Sequence, residues 1–397
     1  MTPSSMSQQL IALNPDLARL NSEGFNVEIR GAYLVVRDIP YVTSNKEIRR
    51  GILVTTLELA GDKTIRPTDH TIKFAGDYPC RANGSPIEAI RHQSLVVQLA
   101  EDLVIHHSFS AKPPIGYYID YYEKITTYAG LLSGQAALID PNINSWTARI
   151  ISPDNDKSPF NYLDTASARA EINLVTQKLS MDKVAIVGVG GTGSYVLDFL
   201  AKTPVKEIHL FDGDIFSTHN AFRAPGAPSI EELREQPLKT TYFKNLYSKM
   251  HRGIITHDAH VDSSNIDKLR NMTFVFLCMD SGPAKIFILQ KLEEFGVVFI
   301  DVGMGLYLRE GALGGILRVT TSTPDHRDAA RKRIPATGDN ENNEYDKNIQ
   351  IADLNALNAI LAILKWKKLC GFYLDQEGER FTSYTIGCNM LLSEDLT

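Results

Sequence analysis

Cysteine is scarce in this sequence. Its four residues, Cys80, Cys278, Cys370 and Cys388, stand far apart and form no C-x-x-C pair. That spacing fits a reducing compartment better than a disulfide framework. Positive charge is in short supply too. With 41 Lys and Arg against 47 Asp and Glu, the formal charge is -6, which leaves no basic excess for nucleic-acid phosphates or an acidic membrane surface. No segment reaches the ~18 uninterrupted apolar residues of a membrane-spanning helix. Residues 1–6 lack a charged segment followed by an apolar one, so no export signal is visible and the expected location is cytoplasmic. Residues up to about 146 show no internal repeat.

What remains is an ordinary globular composition, 43% hydrophobic and 22% charged, on a chain of 397 residues, long enough for two or three domains. Residues 7–21 carry Leu10, Leu13, Leu17 and Leu20 at helical spacing, residues 26–38 alternate like a strand, and 52–59 form a second strand candidate. Residues 66–78 are turn-rich and 85–92 open a helix. The polar, turn-prone run 152–159 reads as a linker. The division expected is an α+β domain over 1–150 and a second domain over 158–397.

The second domain is organised around residues 183–223. Val184-Ala185-Ile186-Val187 is a short apolar strand that stops at Gly188-Val189-Gly190-Gly191-Thr192-Gly193, and a helix follows. Strand, glycine turn and helix together form a phosphate-binding context. Gly188 permits the tight turn, Gly190 and Gly191 let phosphate approach bare backbone, and Gly193 lets the helix pack on the strand. Phosphate then meets free N–H groups at a helix N-terminus. The next strand, 207–211, ends at Asp212, where an acid holds a ribose hydroxyl in dinucleotide folds. To this point a nicotinamide- or flavin-dependent oxidoreductase fits equally well. Asp214, Asn220 and Arg223 discriminate against it, because a second acid, an amide and an arginine suit an ATP triphosphate better than a dinucleotide.

This run resembles the ThiF/ubiquitin-activating adenylyltransferase family, whose motif reads G-x-G-G-x-G, then D-x-D, an Asn and an Arg at these spacings. The resemblance extends from about residue 161 to the C-terminus. It implies a Rossmann-like α/β domain with a mostly parallel sheet, preceded here by the separate α+β domain. It further implies ATP and Mg²⁺, with Asp280 holding the metal, Arg223 and Lys239 (or Lys244) neutralising phosphate, and Asp214 and Asn220 orienting the loop or ATP. Arg169, on an expected helix over 160–179, matches an arginine that reaches the partner subunit's ATP in a homodimer. The implied activity is adenylation of the C-terminal carboxylate of a ubiquitin-like protein, or else of a sulfur carrier or peptide, with a ubiquitin-conjugating-enzyme-like protein as a further partner. A scaffold that only presents a ubiquitin-like protein is a third class, against which intact Arg223 and Asp280 speak.

The expected crossover loop, 323–349, contains no cysteine, although thioester-forming relatives usually carry one there. The expectation is therefore that no thioester forms on Cys278, Cys370 or Cys388. The first domain offers Cys80, Glu88, His92, His106 and His107, with His70 nearby. Cysteine, carboxylate and imidazole are zinc ligand types, so one reading is a second metal site holding Zn²⁺ with Cys80, Glu88, His106 and His107. Another is a nucleophilic Cys80 whose pKa a neighbouring imidazolium lowers. A third is scattered structural residues. An N-terminal region of this kind ahead of an activating domain also looks like an arrangement in bacterial ubiquitin-like gene clusters.

Overall fold

The alternating run at 26–38 folds as a hairpin, β1 (Asn26–Arg30) and β2 (Tyr33–Val42), which starts an antiparallel sheet. This sheet belongs to the first of two units in the computed structural model, which describes residues 6–146, 158–335 and 349–394. Residues 1–157 and 162–175 cluster as one unit, 158–161 and 176–397 as the other.

In the N-terminal unit the expected helix over 7–21 is two helices, α1 (Met6–Leu13) and α2 (Pro15–Ser22). Buried Asn14 breaks it. Its amide donates to the Leu10 and Asp62 carbonyls at 2.8 and 3.0 Å and its oxygen accepts from Thr64 N–H at 2.9 Å, while Pro15 opens the second helix. Next come β3 (Ile48–Thr56), the small ladder β4 (Leu59–Ala60) with β5 (Lys63–Thr64), β6 (Thr71–Ala75), β7 (Arg91–Ala100) and β8 (Leu103–Ser110). They complete a sheet of order β1-β2-β3-β6-β8-β7. Helix α3 (Tyr121–Ala137), capped by the Asp120 carboxylate on Glu123 N–H, covers one face with Tyr121, Ile125, Tyr128 and Leu132 against Leu34, Leu53 and Phe74. The helix expected over 85–92 is one short turn at Glu88–Ile90, and His92 already lies in β7. The helix expected over 160–179 is likewise two short ones, α4 (Thr165–Arg169) and α5 (Asn173–Gln177). They are separated at Glu171, whose φ of 58° no continuous helix accommodates. Ala168 is buried in the N-terminal unit beside Tyr33, whose hydroxyl donates to the Ala168 carbonyl at 2.7 Å.

The C-terminal unit follows the predicted alternation. β9 (Lys183–Val187), α6 (Gly191–Leu200) and β10 (Glu207–Phe211) lead through α7 (Thr218–Ala221), α8 (Ile230–Arg234) and α9 (Lys239–Tyr247) to β11 (Ile254–His257). Then come β12 (Phe274–Leu277), α10 (Pro283–Glu294), β13 (Val298–Arg309) and β14 (Ala312–Ser322), α11 (Arg327–Arg333), α12 (Ala352–Leu369), β15 (Phe381–Thr385) and β16 (Met390–Glu394). Eight strands run in the order β11-β10-β9-β12-β13-β14-β15-β16. The first five are parallel and the tail from β13 onward is antiparallel, turning at Arg309–Ala312 as the sequence pattern predicts. Strands β9 and β12 read as near-continuous apolar runs because both their faces are covered. Chain order reverses between β9 and β12, so the ends of these strands open a crevice, the place where such sheets bind ligands.

Helix α12 lies over that crevice. The spacing of Ile351, Leu354, Leu357, Leu361 and Leu364 predicts an apolar stripe, but Leu364 is exposed. Leu361 of that stripe is buried, and the rest of the buried face carries Asn355, Asn358, Ala359, Ala362, Ile363, Lys365 and Trp366. Two amides in a buried face need partners, and theirs are the residues of the site. Of the expected crossover loop 323–349, the start folds as α11, and 336–348 lie outside the described residues, as do 152–157 of the expected linker.

Candidate functional site

Glycine decides the local geometry at the end of β9. Gly188 N–H donates to the Phe211 carbonyl at 2.8 Å, which fixes the turn to β10. A Cβ on Gly193 would run into the Gly188 carbonyl oxygen, so only glycine lets α6 start this close to the strand. At Gly190 a Cβ would meet open space, and the N-terminus of α6 faces that space. Gly191 meets a second demand. A Cβ there would collide with the buried Asn355 amide of α12, so the packing of that helix also requires a bare position here. Asn355 then joins two loops, accepting from the Thr192 hydroxyl at 3.0 Å and donating to the Arg223 carbonyl at 3.2 Å.

Gly188, Gly190, Gly191 and Thr192 line a cavity of about 450 Å³ with Asp212, Asp214, Arg223, Lys239, His260, Asp280, Ser281, Lys285, Arg318 and Asn358 among its walls. Asp212 is buried, and its two oxygens accept from the Val189 and Asp214 N–H groups at 2.8 and 2.9 Å. Its first task is to hold the glycine turn and the following loop in register. Lys239 sits 2.6 Å from Asp214 and 3.7 Å from Asp212. That ammonium holds the Asp214 carboxyl below the usual carboxylate range, and His260 approaches the same carboxylate at 3.4 Å. Lys244, the other candidate, is exposed and lies outside the cavity wall. Buried Asn220 accepts from Ser217 N–H at 2.9 Å, closing the capping box of α7, while its Nδ2 has no partner among the described residues. Arg223 Nε is buried and likewise unpartnered. Asp280 follows β12, exposed at the rim.

The donor set fits a nucleoside triphosphate with its divalent cation. Two orphaned nitrogens, an ammonium held only by carboxylates, bare backbone at Gly190 and a helix N-terminus all call for an anion. Asp280 supplies an oxygen of the kind Mg²⁺ takes. Among the described residues, Asp212, Asp214 and His260 also come close enough to share an ion, but Lys239 already occupies that position as the cation.

The sequence matches the ThiF family over residues 165–383, more than half of the chain. The chain belongs to the ThiF family. Residues 15–165 match a domain of unknown function, DUF6791. The adenylyltransferase and sulfurtransferase UBA4 of Saccharomyces cerevisiae is 27% identical over 132 residues, 32% of this chain and 29% of that protein. The chain thus spans less than a third of the length of the curated relatives it matches. Among solved structures, E. coli MccB superposes with a TM-score of 0.45 at 19% identity, covering 58% of this chain and 68% of MccB. PaaA gives a TM-score of 0.45 at 16% identity, covering 76% and 98%.

Outside the ThiF unit the predicted residues gather only in part. Arg169 ends α4 in the N-terminal unit. Cys80, Glu88 and His107 line a cavity of about 540 Å³ in that unit, together with Arg49, Asp77, Tyr78 and Arg91. His106 opens on a neighbouring cavity of about 380 Å³ that shares His107. Among the described residues these side chains are not gathered as a zinc site would gather them. No three of Cys80, Glu88, His106 and His107 bring ligand atoms within 4.8 Å, the spacing met among the described residues only by Asp212, Asp214 and His260. The reason is the strand: His106 and His107 are adjacent in β8 and alternate across it. His106 Nδ1 accepts from Gly76 N–H at 3.2 Å, His107 Nδ1 lies 2.9 Å from the Ser94 hydroxyl, and His92 Nδ1 lies 2.7 Å from that of Ser108. His70 pairs with Ser110 at 3.0 Å.

Activation of Cys80 by an imidazolium is not seen either. Burial pushes the Cys80 thiol up and lowers the His107 pKa, and the thiol faces the Tyr78 carbonyl at 3.5 Å. Burial raises Cys278 far above its ordinary value and pushes Cys370 up to about 12, whereas Cys388 is exposed. Iodoacetamide at neutral pH should therefore alkylate Cys388 first, Cys80 more slowly, and Cys278 and Cys370 at least ~10-fold more slowly, since each pKa unit costs about tenfold in thiolate. Peptide mapping against time checks this; Cys80 reacting as fast as Cys388 would show a thiolate that its cavity does not provide.

Some of the site was missing from the sequence reading. Asn355, Asn358, Lys285, Asp301, Arg318 and His260 carry no motif. The one available signal was in α12, where asparagines three apart interrupt an otherwise apolar helix.

Proposed function

We propose that the ThiF unit is an ATP-dependent adenylyltransferase. An oxygen of the acyl substrate's carboxylate bonds to the α-phosphorus of ATP, and the bond to the bridging oxygen breaks, releasing pyrophosphate. The observation that carries this reading is Arg223. Its buried, partnerless Nε lies in a cavity wall that also holds Lys239 and the bare turn at Gly190. A buried guanidinium nitrogen with no partner among the described residues is preorganised for charge that arrives later.

The chain's own groups would divide the work. The N–H groups at the start of α6 cradle phosphate, and Arg223 neutralises the leaving pyrophosphate. Lys239 exchanges its carboxylates for phosphate oxygens. Asp280 would hold Mg²⁺, which supplies further neutralisation of phosphate charge. No general base is needed, because a carboxylate is already ionised at neutral pH. Positioning and electrostatics supply the acceleration.

The acyl substrate we assign is the C-terminal carboxylate of a ubiquitin-like protein, an assignment supported by the family resemblance. With no cysteine in 323–349, we assign acceptance of the activated acyl group to a separate protein, of the ubiquitin-conjugating type. In the same reading Arg169 acts across a two-fold homodimer. The test is exchange of labelled pyrophosphate into ATP, expected only with Mg²⁺ and a ubiquitin-like protein bearing a free C-terminus. Asp280→Ala should reduce it ~10²-fold or more. Exchange that persists undiminished in Asp280→Ala would sink the assignment.

A further inference from the structure

The cavity has a second end, and its chemistry differs from the first. Along the sheet order, the glycine turn, Asp212 and Asp214 sit over β9 and β10, and Asp280 follows β12. Beyond Asp280 the walls come from β13, β14 and α12: Val302, Gly303, Met304, Arg318 and Asn358. No group at this end is taken up by the phosphate-binding roles described above.

Arg318 and Asn358 converge there on one residue. Arg318 lies directly opposite Gly303 in the β13–β14 register, and a Cβ on Gly303 would come within 2.7 Å of its guanidinium. Asn358 donates from Nδ2 to the Gly303 carbonyl at 3.1 Å. Its side chain is almost wholly buried (1% exposed), and its Oδ1 has no partner among the described residues. The Arg318 guanidinium is half-buried and donates to the Arg333 carbonyl at 3.3 Å.

Charge at this end does not balance. Asp301 is the nearby carboxylate, and Lys285 claims it at 2.5 Å, with both side chains at most 4% exposed. Asp301 acts on Arg318 through space but forms no ion pair with it. Two cations therefore share one carboxylate in a secluded wall, and an excess buried positive charge is costly until an anion arrives. Phosphate has its own receptors at the other end, in Arg223, Lys239 and α6. The anion the proposed reaction must bring from the β13–β14 side is the attacking carboxylate.

We propose that Arg318 and Asn358 form the acyl-substrate subsite of this cavity: the Arg318 guanidinium receives the substrate's terminal carboxylate and Asn358 Oδ1 accepts the last main-chain N–H. This rests on the adenylation reading. It also sets what the substrate can be. The terminal residue must offer an unsubstituted N–H next to its carboxylate, so a chain ending in proline is excluded.

The test uses the full-length protein and N-trifluoroacetylglycine as probe, with N-trifluoroacetylglycinamide as its uncharged twin. Fluorine NMR linewidths are read with a non-hydrolysable ATP analogue and Mg²⁺ present, and the analogue's own Kd is measured in parallel. Wild type should broaden the acid and not the amide. Arg318→Gln should weaken acid binding about tenfold or more, the worth of one charge-assisted hydrogen bond. Arg318→Lys, which keeps the charge and loses the fork, should recover part of it. Asn358→Leu should weaken it less. In all three, the analogue's Kd should stay within about twofold, which also shows that the cavity is folded. Equal broadening of acid and amide by wild type, or undiminished acid binding in Arg318→Gln, overturns the proposal. So does a loss of analogue affinity in Arg318→Gln with acid binding retained, which would make Arg318 a phosphate ligand. Failure of wild type to bind the analogue, with Arg318-dependent acid binding intact, overturns the adenylation reading and leaves a carboxylate site.

Discussion

Arg223→Ala should lower pyrophosphate exchange about 10²- to 10³-fold, the usual cost of losing one preorganised charge donor, without lowering the stability of the ThiF unit. Two effects usually travel together when a buried arginine is removed, and here they should separate. Arg223 Nε is buried without a partner, so in the absence of nucleotide the group is a net liability, typically ~1–3 kcal/mol for an unsatisfied buried donor. What the loop needs from residue 223 is its main chain, which accepts the Asn355 amide and survives the substitution. Alanine should therefore melt at or slightly above the wild-type temperature while losing activity. The check is a thermal melt without nucleotide alongside the exchange assay. A variant that melts several degrees lower would show Arg223 to be a structural residue.

The Lys285–Asp301 pair gives the opposite profile. Asp301→Ala leaves an ammonium buried at 2% exposure with no carboxylate beside it, a change that costs about 3–5 kcal/mol. Burial pushes the Asp301 carboxyl up even with Lys285 beside it, so desolvation is already a substantial cost in the native protein. Replacing both partners, Asp301→Leu with Lys285→Met, removes the charge along with its partner and should recover most of the loss, since well-packed apolar substitutes for buried ion pairs are often neutral. Urea unfolding that follows the ThiF unit would decide it. A single variant as stable as wild type would mean that water reaches Lys285.

The ThiF unit was largely legible before any coordinates because its signals are local. A buried strand, a glycine turn and a helix occupy consecutive residues, and each of Asp212, Asp214, Asn220 and Arg223 follows within one loop. Lys239 was reachable too, being the first residue of α9, two helices further on. The β13–β14–α12 wall was not. Arg318 meets Gly303 by cross-strand register and Asn358 meets it by helix packing, and neither relation has a fixed sequence spacing. Apolar periodicity misplaced the buried face of α12 for the same reason: Asn355 and Asn358 are paid for by partners distant in sequence. In the N-terminal unit the error ran the other way. His106 and His107 are neighbours in sequence, and a strand turns neighbours away from each other.

The collision between a side chain at 191 and the amide at 355 also constrains how such proteins can diverge. A lineage cannot acquire alanine at the first position while it keeps asparagine at the second, and losing the asparagine first releases both Thr192 and the Arg223 loop. The two positions should therefore change together or not at all.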